Sequence, residues 1–288
     1  MKEKVAVLTD TNSGIMGEEA EKKGIYVMPM PVIIEDEIFY EGQNLTEEQF
    51  YSALEEGKKI STSQPAPGDL LEKWEELLSA YEQVLYIPMS AGLSNSCASA
   101  TALSREFGGR VCVADNHRIS VTLRTSVEEA KRMAENGWTA ETIKQNLEEN
   151  AYCSSIYIAV NTLTYLRRGG RITPAAAMVG NVLQIKPVLT IQGEKLDSFA
   201  KVRGAMLKCE SKMIEAVKND VEKRFSQERT KKMCVGAAGS FLSENEKQNW
   251  LSMVQEAFPQ ADVWYDALSM SIACHTGPGA VGIGISFC

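Results

Sequence analysis

Short apolar runs of strand length alternate along this chain with longer amphipathic stretches. Residues 5–9, 84–87 and 111–114 are apolar and each gives way to small polar residues before a helical pattern begins, as strands of a parallel sheet do. Between them, residues 68–81 place Leu70, Leu71, Trp74, Leu77 and Leu78 on one helical face, and the pattern over 127–136 resumes over 139–150 after Gly137. The helical pattern breaks over 150–155, and a different texture follows. Residues 156–160 read as a strand, 188–191 and 196–199 as a hairpin turning near Gly193, 211–225 as a helix, and 234–238, 263–268 and 281–287 as further strands. The expectation is an α/β protein of two α/β domains, an N-terminal parallel-sheet domain over 1–155 and a C-terminal mixed-sheet domain over 156–288. There is no internal repeat and no low-complexity tract.

Composition narrows the function classes. A chain of 288 residues with 44% hydrophobic and 24% charged content is an ordinary globular protein, long enough for two domains of roughly 150 residues. The net charge of -8 disfavours nucleic acid or an anionic membrane surface as the main partner. Seven scattered cysteines with no metal-ligand spacing read as reduced thiols, with neither a disulfide framework nor a metal site. No stretch has the length of a membrane span, and the N-terminus is too short in apolar residues for a signal peptide, so a cytoplasmic location is expected.

The richest candidate chemistry lies over 165–203. Arg167, Arg168 and Arg171 flank Gly169-Gly170, and Thr173-Pro174 then opens a helical pattern that runs on through Val179, Val182, Leu183 and Ile185. Thr as N-cap and Pro at the first helical position put partial positive charge beside the arginines, an outline that suits an anionic head with an apolar tail. Arg171 is the functional choice here, and Arg167 and Arg168 read as a solvated or carboxylate-paired face. Hydroxyl clusters at Ser61-Thr62-Ser63 and Ser90-Ala91-Gly92-Leu93-Ser94 can hold an anion without adding charge, although Ser and Thr in such places are more often caps. Gly277-Pro278-Gly279-Ala280-Val281-Gly282 matches a dinucleotide fingerprint by letter, but it lies too near the end of the chain for the helix and acidic residue that fingerprint needs. A serine hydrolase or acyl transferase using Ser94 and His275 is the reading from another class. It lacks the Gly-x-Ser-x-Gly elbow and an evident acid to orient the histidine.

In order, Thr9-Asp10-Thr11, Ser61-Thr62-Ser63-Gln64-Pro65, Ser90-Ala91-Gly92-Leu93-Ser94, the run from Thr162 to Ile172 ending Arg168-Gly169-Gly170-Arg171-Ile172, Ile185-Lys186-Pro187, Lys201-Val202-Arg203-Gly204 and His275-Thr276-Gly277-Pro278-Gly279 resemble the DegV family over essentially the whole chain. The resemblance implies two α/β domains enclosing one long-chain fatty acid at their junction, as in the fatty acid-binding subunits of a bacterial fatty acid kinase. It implies a protein that is not an enzyme by itself and needs no cofactor, the fatty acid being its ligand. Carried onto this sequence, the carboxylate falls to Thr62, Ser63, Ser94 and His275, support of phosphoryl transfer to Arg171 and His275, and docking of a separate ATP-binding kinase subunit to Lys201 and Arg203. His275 is expected to become charged near neutral pH, and His117 to be structural. The chain departs from the family at Ala91, at Asn95-Ser96 and at Asp115-Asn116-His117-Arg118. Acyl-chain selectivity is expected from Met28, Met178, Val182 and Met270. A lipid carrier or store with no kinase partner fits the same residues.

Overall fold

A computed structural model describes residues 3–178, 185–228 and 230–288. Three sheets organise them. The first is fully parallel, with strands in the spatial order Tyr26–Met28, Glu3–Asp10, Tyr81–Ile87 and Val111–Val113. Its central strands are apolar on both faces because both are covered: Val5 and Val7 join one core cluster, Ala6 and Leu8 another that includes Trp74 of the Pro67–Ala80 helix. The second sheet is mixed, in the order Asp197–Arg203, Ile185–Ile191, Ser154–Ala159, Val281–Phe287, Met233–Gly239 and Asp262–Ala267. Only its last pair is parallel. A small antiparallel sheet of Glu37–Tyr40, Pro31–Ile34 and Ile60–Thr62 completes the set.

The strands foreseen from apolar runs are all present, several a few residues longer, while the Tyr26–Met28 strand and the small sheet were not foreseen, although residues 25–34 form one apolar run punctuated by Pro29 and Pro31. The helical pattern foreseen from 127 begins earlier, as Ser120–Glu135, because its first turn is buried against both large sheets. Gly236 and Gly284 face each other across two strands, and a Cβ on either would lie within 2.6 Å of a Val121 side-chain atom. The glycine pair is thus the slot into which the helix locks. Arg124 of the same helix donates to Asp266 at 3.1 Å and also pairs with Glu19, holding elements from both halves of the chain.

The expected domain boundary at 155/156 falls inside the strand Ser154–Ala159, and one core cluster runs from Val5 and Leu85 to Ile158, Leu189 and Ala280. The helix opened by Thr173 is shorter than its pattern suggests. It spans Pro174–Ala177, with Thr173 Oγ1 accepting from the Ala176 N–H at 3.2 Å, and Ile185, expected in the helix, is instead the first residue of a strand. Val179, Val182 and Leu183 lie outside the described residues. In the segment that departs from the DegV pattern, Arg118 is buried and donates to the carbonyls of Asn150 and Ala151 at 2.7 and 3.2 Å, closing the end of the Ala140–Glu149 helix.

Candidate functional site

Between the parallel and mixed sheets lies a cavity of about 480 Å³, within the range of small-molecule sites. Strand alternation supplies its apolar wall. Ile156, Ile158 and Ile191 face it, while Tyr157, Ala159 and Val188, one residue out of phase, face the helices on the far side. Leu268, Ala238 and Val121 close the interior. At the other end the lining turns polar, with Thr62, Ser63, Ser94, Arg171 and His275 together, so all five residues assigned to the head group reach one cavity. Among the described residues no Asp or Glu lines it.

The elements that deliver these side chains are separate in sequence. Thr62 ends the strand Ile60–Thr62, and Ser94 lies in the loop between the strand Tyr81–Ile87 and the helix Ser96–Ser104. This loop is clamped from both sides. Asp10, fully buried, accepts from the N–H groups of Met89 and Asn12 at 2.9 and 3.0 Å, and burial raises its carboxyl to about 6. Ser90 donates to Gly193 O at 2.6 Å, and that carbonyl lies only 2.4 Å from where a Cβ on Gly92 would sit. Glycine is required there by close approach of the mixed-sheet hairpin. Ser94 Oγ accepts from the Ser96 N–H at 3.2 Å, leaving its own hydrogen to donate.

His275 sits on the helix Met270–Thr276 and is partly buried. Its Nε2 is 2.9 Å from Thr62 Oγ1. Its Nδ1 has no hydrogen-bond partner among the described residues and packs against Gly169, where a Cβ would lie 2.1 Å away. The two glycines between the arginines therefore have different causes: Gly169 admits the imidazole, and Gly170, at φ 68, ends the helix Thr164–Gly169 in the left-handed region. A buried donor without an acceptor is rarer than an under-used acceptor, which favours the proton on Nε2. His275 then donates to Thr62, and the Thr62 hydroxyl is free to donate into the cavity.

Burial, and then the Arg171 charge, push the His275 imidazole down to about 4. This runs against the expectation that it charges near neutral pH, since burial beside a cation favours the neutral imidazole. Arg171 is anchored by Nε to Leu93 O at 3.3 Å and Nη1 to Gly169 O at 2.5 Å, with Nη2 unpartnered among the described residues. Arg167, expected on a solvated or carboxylate-paired face, donates through Nε and Nη2 to Ala177 O at 3.0 and 2.6 Å and so closes the Pro174–Ala177 helix. That short helix does not line the cavity. The polar loop preceding the longer helix Ser96–Ser104 does, through Ser94 and Asn95. Ser63 lines the exposed rim with its hydroxyl turned to Gln64 O at 3.1 Å.

The acyl-wall expectations need correction. Met28 packs on the far face of the parallel sheet with Leu8 and Trp74. Met178 is 84% exposed, and Val182 lies outside the described residues. Met270 shares the helix of His275 but falls on the face of Ala273 and Cys274 toward Val32 and Phe50, whereas Ser271, Ile272, His275 and Thr276 face the cavity. The methionines in the wall are Met30 and Met89. Methionine content was visible in the sequence, but the face each one takes was not. Gln64, Asn12 and Ser271 were also missed as lining residues. Gln64 stood inside a motif already singled out, and Ser271 lies one turn before His275. Lys201 and Arg203 lie outside the cavity lining, on the edge strand Asp197–Arg203, exposed, while Ala200 and Val202 alternate with them against the helix side.

No helix among the described residues is long and apolar enough to cross a membrane, and none of their His, Cys, Asp and Glu side chains cluster as metal ligands do. Fold and cavity together define a mixed α/β protein with an internal apolar chamber and a polar, cation-bearing mouth. Residues 4–287 match the family model described as uncharacterised protein, DegV family, and the chain belongs to that family. A DegV domain-containing protein of Deinococcus radiodurans is 30% identical over 98% of both chains. Among solved structures, a DegV family protein of Thermus thermophilus described by its fatty acid binding is 27% identical, with TM-score 0.87 over 100% of both chains. DegV of Bacillus subtilis, described as a fatty acid binding protein, is 27% identical with TM-score 0.85 over 99% of both.

Proposed function

We propose that this protein binds one long-chain fatty acid, the acyl chain in the chamber between the sheets and the carboxylate at Thr62, Ser94 and Arg171. The observation that carries the reading is the polarity of a single cavity: walls that are mainly apolar, interrupted by Asn12, Ser271 and Thr276, with hydroxyls and one guanidinium at its mouth and no carboxylate among its described lining. Burying an acyl chain at about 0.8 kcal/mol per methylene supplies on the order of 10 kcal/mol of gross driving force. The head group costs several kcal/mol to desolvate unless it is paired and hydrogen-bonded, which the mouth is equipped to do. The fatty acid-binding descriptions of the Thermus thermophilus and Bacillus subtilis relatives support the same ligand class.

The finer reading is that the bound acid is presented to a separate ATP-dependent kinase subunit, which forms the acyl phosphate. Arg171 supports it, since a guanidinium donates in parallel to phosphate oxygens and offsets the charge that phosphorylation adds. The exposed basic pair Lys201 and Arg203 is the proposed docking contact for that subunit. The Ser94 hydrolase reading loses ground, because His275 is engaged with Thr62 and no carboxylate among the described residues orients its Nδ1.

Mass spectrometry of the organic extract from protein expressed in a bacterium tests the ligand: one equivalent of fatty acid is expected, and none would sink the binding claim. With a kinase subunit and ATP, Arg171→Ala is expected to lower acyl phosphate formation at least ~100-fold while the acyl chain still binds. Unchanged turnover would remove Arg171 from the transfer step, and no acyl phosphate even with the unsubstituted protein would leave carriage or storage as the function.

A further inference from the structure

The ligand site uses none of the seven cysteines, yet two of them are in contact. Cys234 lies on the strand Met233–Gly239 opposite Ser286 of the antiparallel strand Val281–Phe287, and Cys288 follows that strand. Just beyond the ladder the backbones of Lys232 and Cys288 exchange both hydrogen bonds, at 3.1 and 3.0 Å, which holds the two ends together. The sulfurs are 3.3 Å apart. A disulfide requires them to close by roughly 1.3 Å, and because the two residues are diagonal across the ladder, Cys288, which lies past the end of its strand, must shift along with its side chain. Cys234 is buried and Cys288 partly exposed, so a small oxidant can reach the pair.

We propose that Cys234 and Cys288 are a peroxide-reactive thiol pair that closes to a disulfide across the two C-terminal strands. The surroundings distinguish it from the other thiols. Cys97, Cys112, Cys209 and Cys274 are buried, and burial raises each of them above the ordinary thiol range. Cys234 is lowered, first by the hydrogen bond with Cys288 and then by the Lys232 and Arg132 charges, against its own burial and the Asp262 carboxylate. Cys288 is raised by the same hydrogen bond, by burial, and by Cys234 and Glu129. A hydrogen-bonded pair of this kind offers one sulfur that ionises more readily and one resolving thiol.

The chemistry balances with hydrogen peroxide as oxidant. The anionic sulfur attacks one peroxide oxygen, the O–O bond breaks, and the departing hydroxide takes up the proton released on ionisation and leaves as water. A sulfenic acid remains. The second sulfur attacks the sulfenic sulfur, the S–S bond forms, and hydroxide leaves with the second thiol proton as another water. Two thiols and one peroxide thus become one disulfide and two waters. The crosslink sits at one end of a strand pair whose other end, Ala238 opposite Gly282, lines the cavity, so oxidation pins the two strands that form part of the chamber wall.

The test treats the full chain with hydrogen peroxide and maps it by non-reducing peptide mass spectrometry and thiol titration. The expected result is a Cys234–Cys288 crosslinked peptide, loss of two of the seven free thiols, and a thermal midpoint raised on the order of 5 °C and restored by dithiothreitol. Cys288→Ser, and separately Cys234→Ser, should abolish both the crosslink and the rise. Oxidation that leaves both thiols free, that joins either one to Cys153, or that persists unchanged in both variants would overturn the proposal. A crosslink without a higher midpoint would refute the pinning of the strand pair.

Discussion

The two ends of the cavity are built by different rules. The mouth gathers Thr62, Ser94, Arg171 and His275 from four separate segments, each placed by a turn, a cap or a glycine contact. The interior is mostly the inward parity of strands and one helix: Ile156, Ile158 and Ile191 are there because every second residue of those strands must be. A mouth of this kind tolerates little displacement, since each hydrogen bond depends on its own local support. The interior tolerates exchange of one apolar side chain for another, but it does not tolerate loss of volume.

Filling the interior should break the comparison most severely. Ala238→Phe projects a ring into the chamber from the strand Met233–Gly239 and is expected to weaken fatty acid binding at least ~100-fold by calorimetry, with an overpacking cost of about 1–3 kcal/mol in unfolding titrations. Binding that survives this change would place the acyl chain elsewhere. Removing the mouth hydroxyls by Thr62→Ala with Ser94→Ala should cost about 2 kcal/mol for the acid, roughly 30-fold in Kd, and much less for the corresponding alcohol. Equal losses for the two ligands would show that these hydroxyls do not read the carboxylate.

The mildest probe is pH. His275 is held near 4 against an ordinary value of 6.5, so the folded state binds fewer protons than the unfolded chain between those values. Its contribution is complete above pH 6.5 and is lost as pH falls through about 4, amounting to at most about 3 kcal/mol. His275→Asn should flatten the acid limb of the stability profile over that window. Because the chain has only His117 and His275, proton NMR can follow the ring directly. A bound carboxylate offsets the Arg171 charge and is expected to raise the midpoint; a midpoint unmoved by ligand would separate His275 from the head group.

Legibility in the sequence followed the same division. The residues of the cavity mouth stood out less for their hydroxyls, which are common caps, than for a glycine pair between arginines and a histidine beside a glycine-rich run. Gly169 was visible, but its reason, the imidazole of a residue more than a hundred positions away, was not. The acyl-wall methionines were misplaced because composition carries no face: Met28 and Met30 differ by two residues and lie in different core clusters. The helix after Thr173 was overextended because its start signal was sound, while its end was set by Arg167 capping Ala177.

The sequence by itself determined the α/β alternation, the main strands and the polar, cationic character of the residues at the cavity mouth, since periodicity and local residue chemistry are properties of neighbours along the chain. Tertiary structure alone decided that one core would run through both halves, that His275 would be neutral and bonded to Thr62, and which methionines would face the cavity. Burial, dielectric environment and contact between distant segments exist only after the sheets have packed, and those three quantities set the charge and the direction of every side chain at the site.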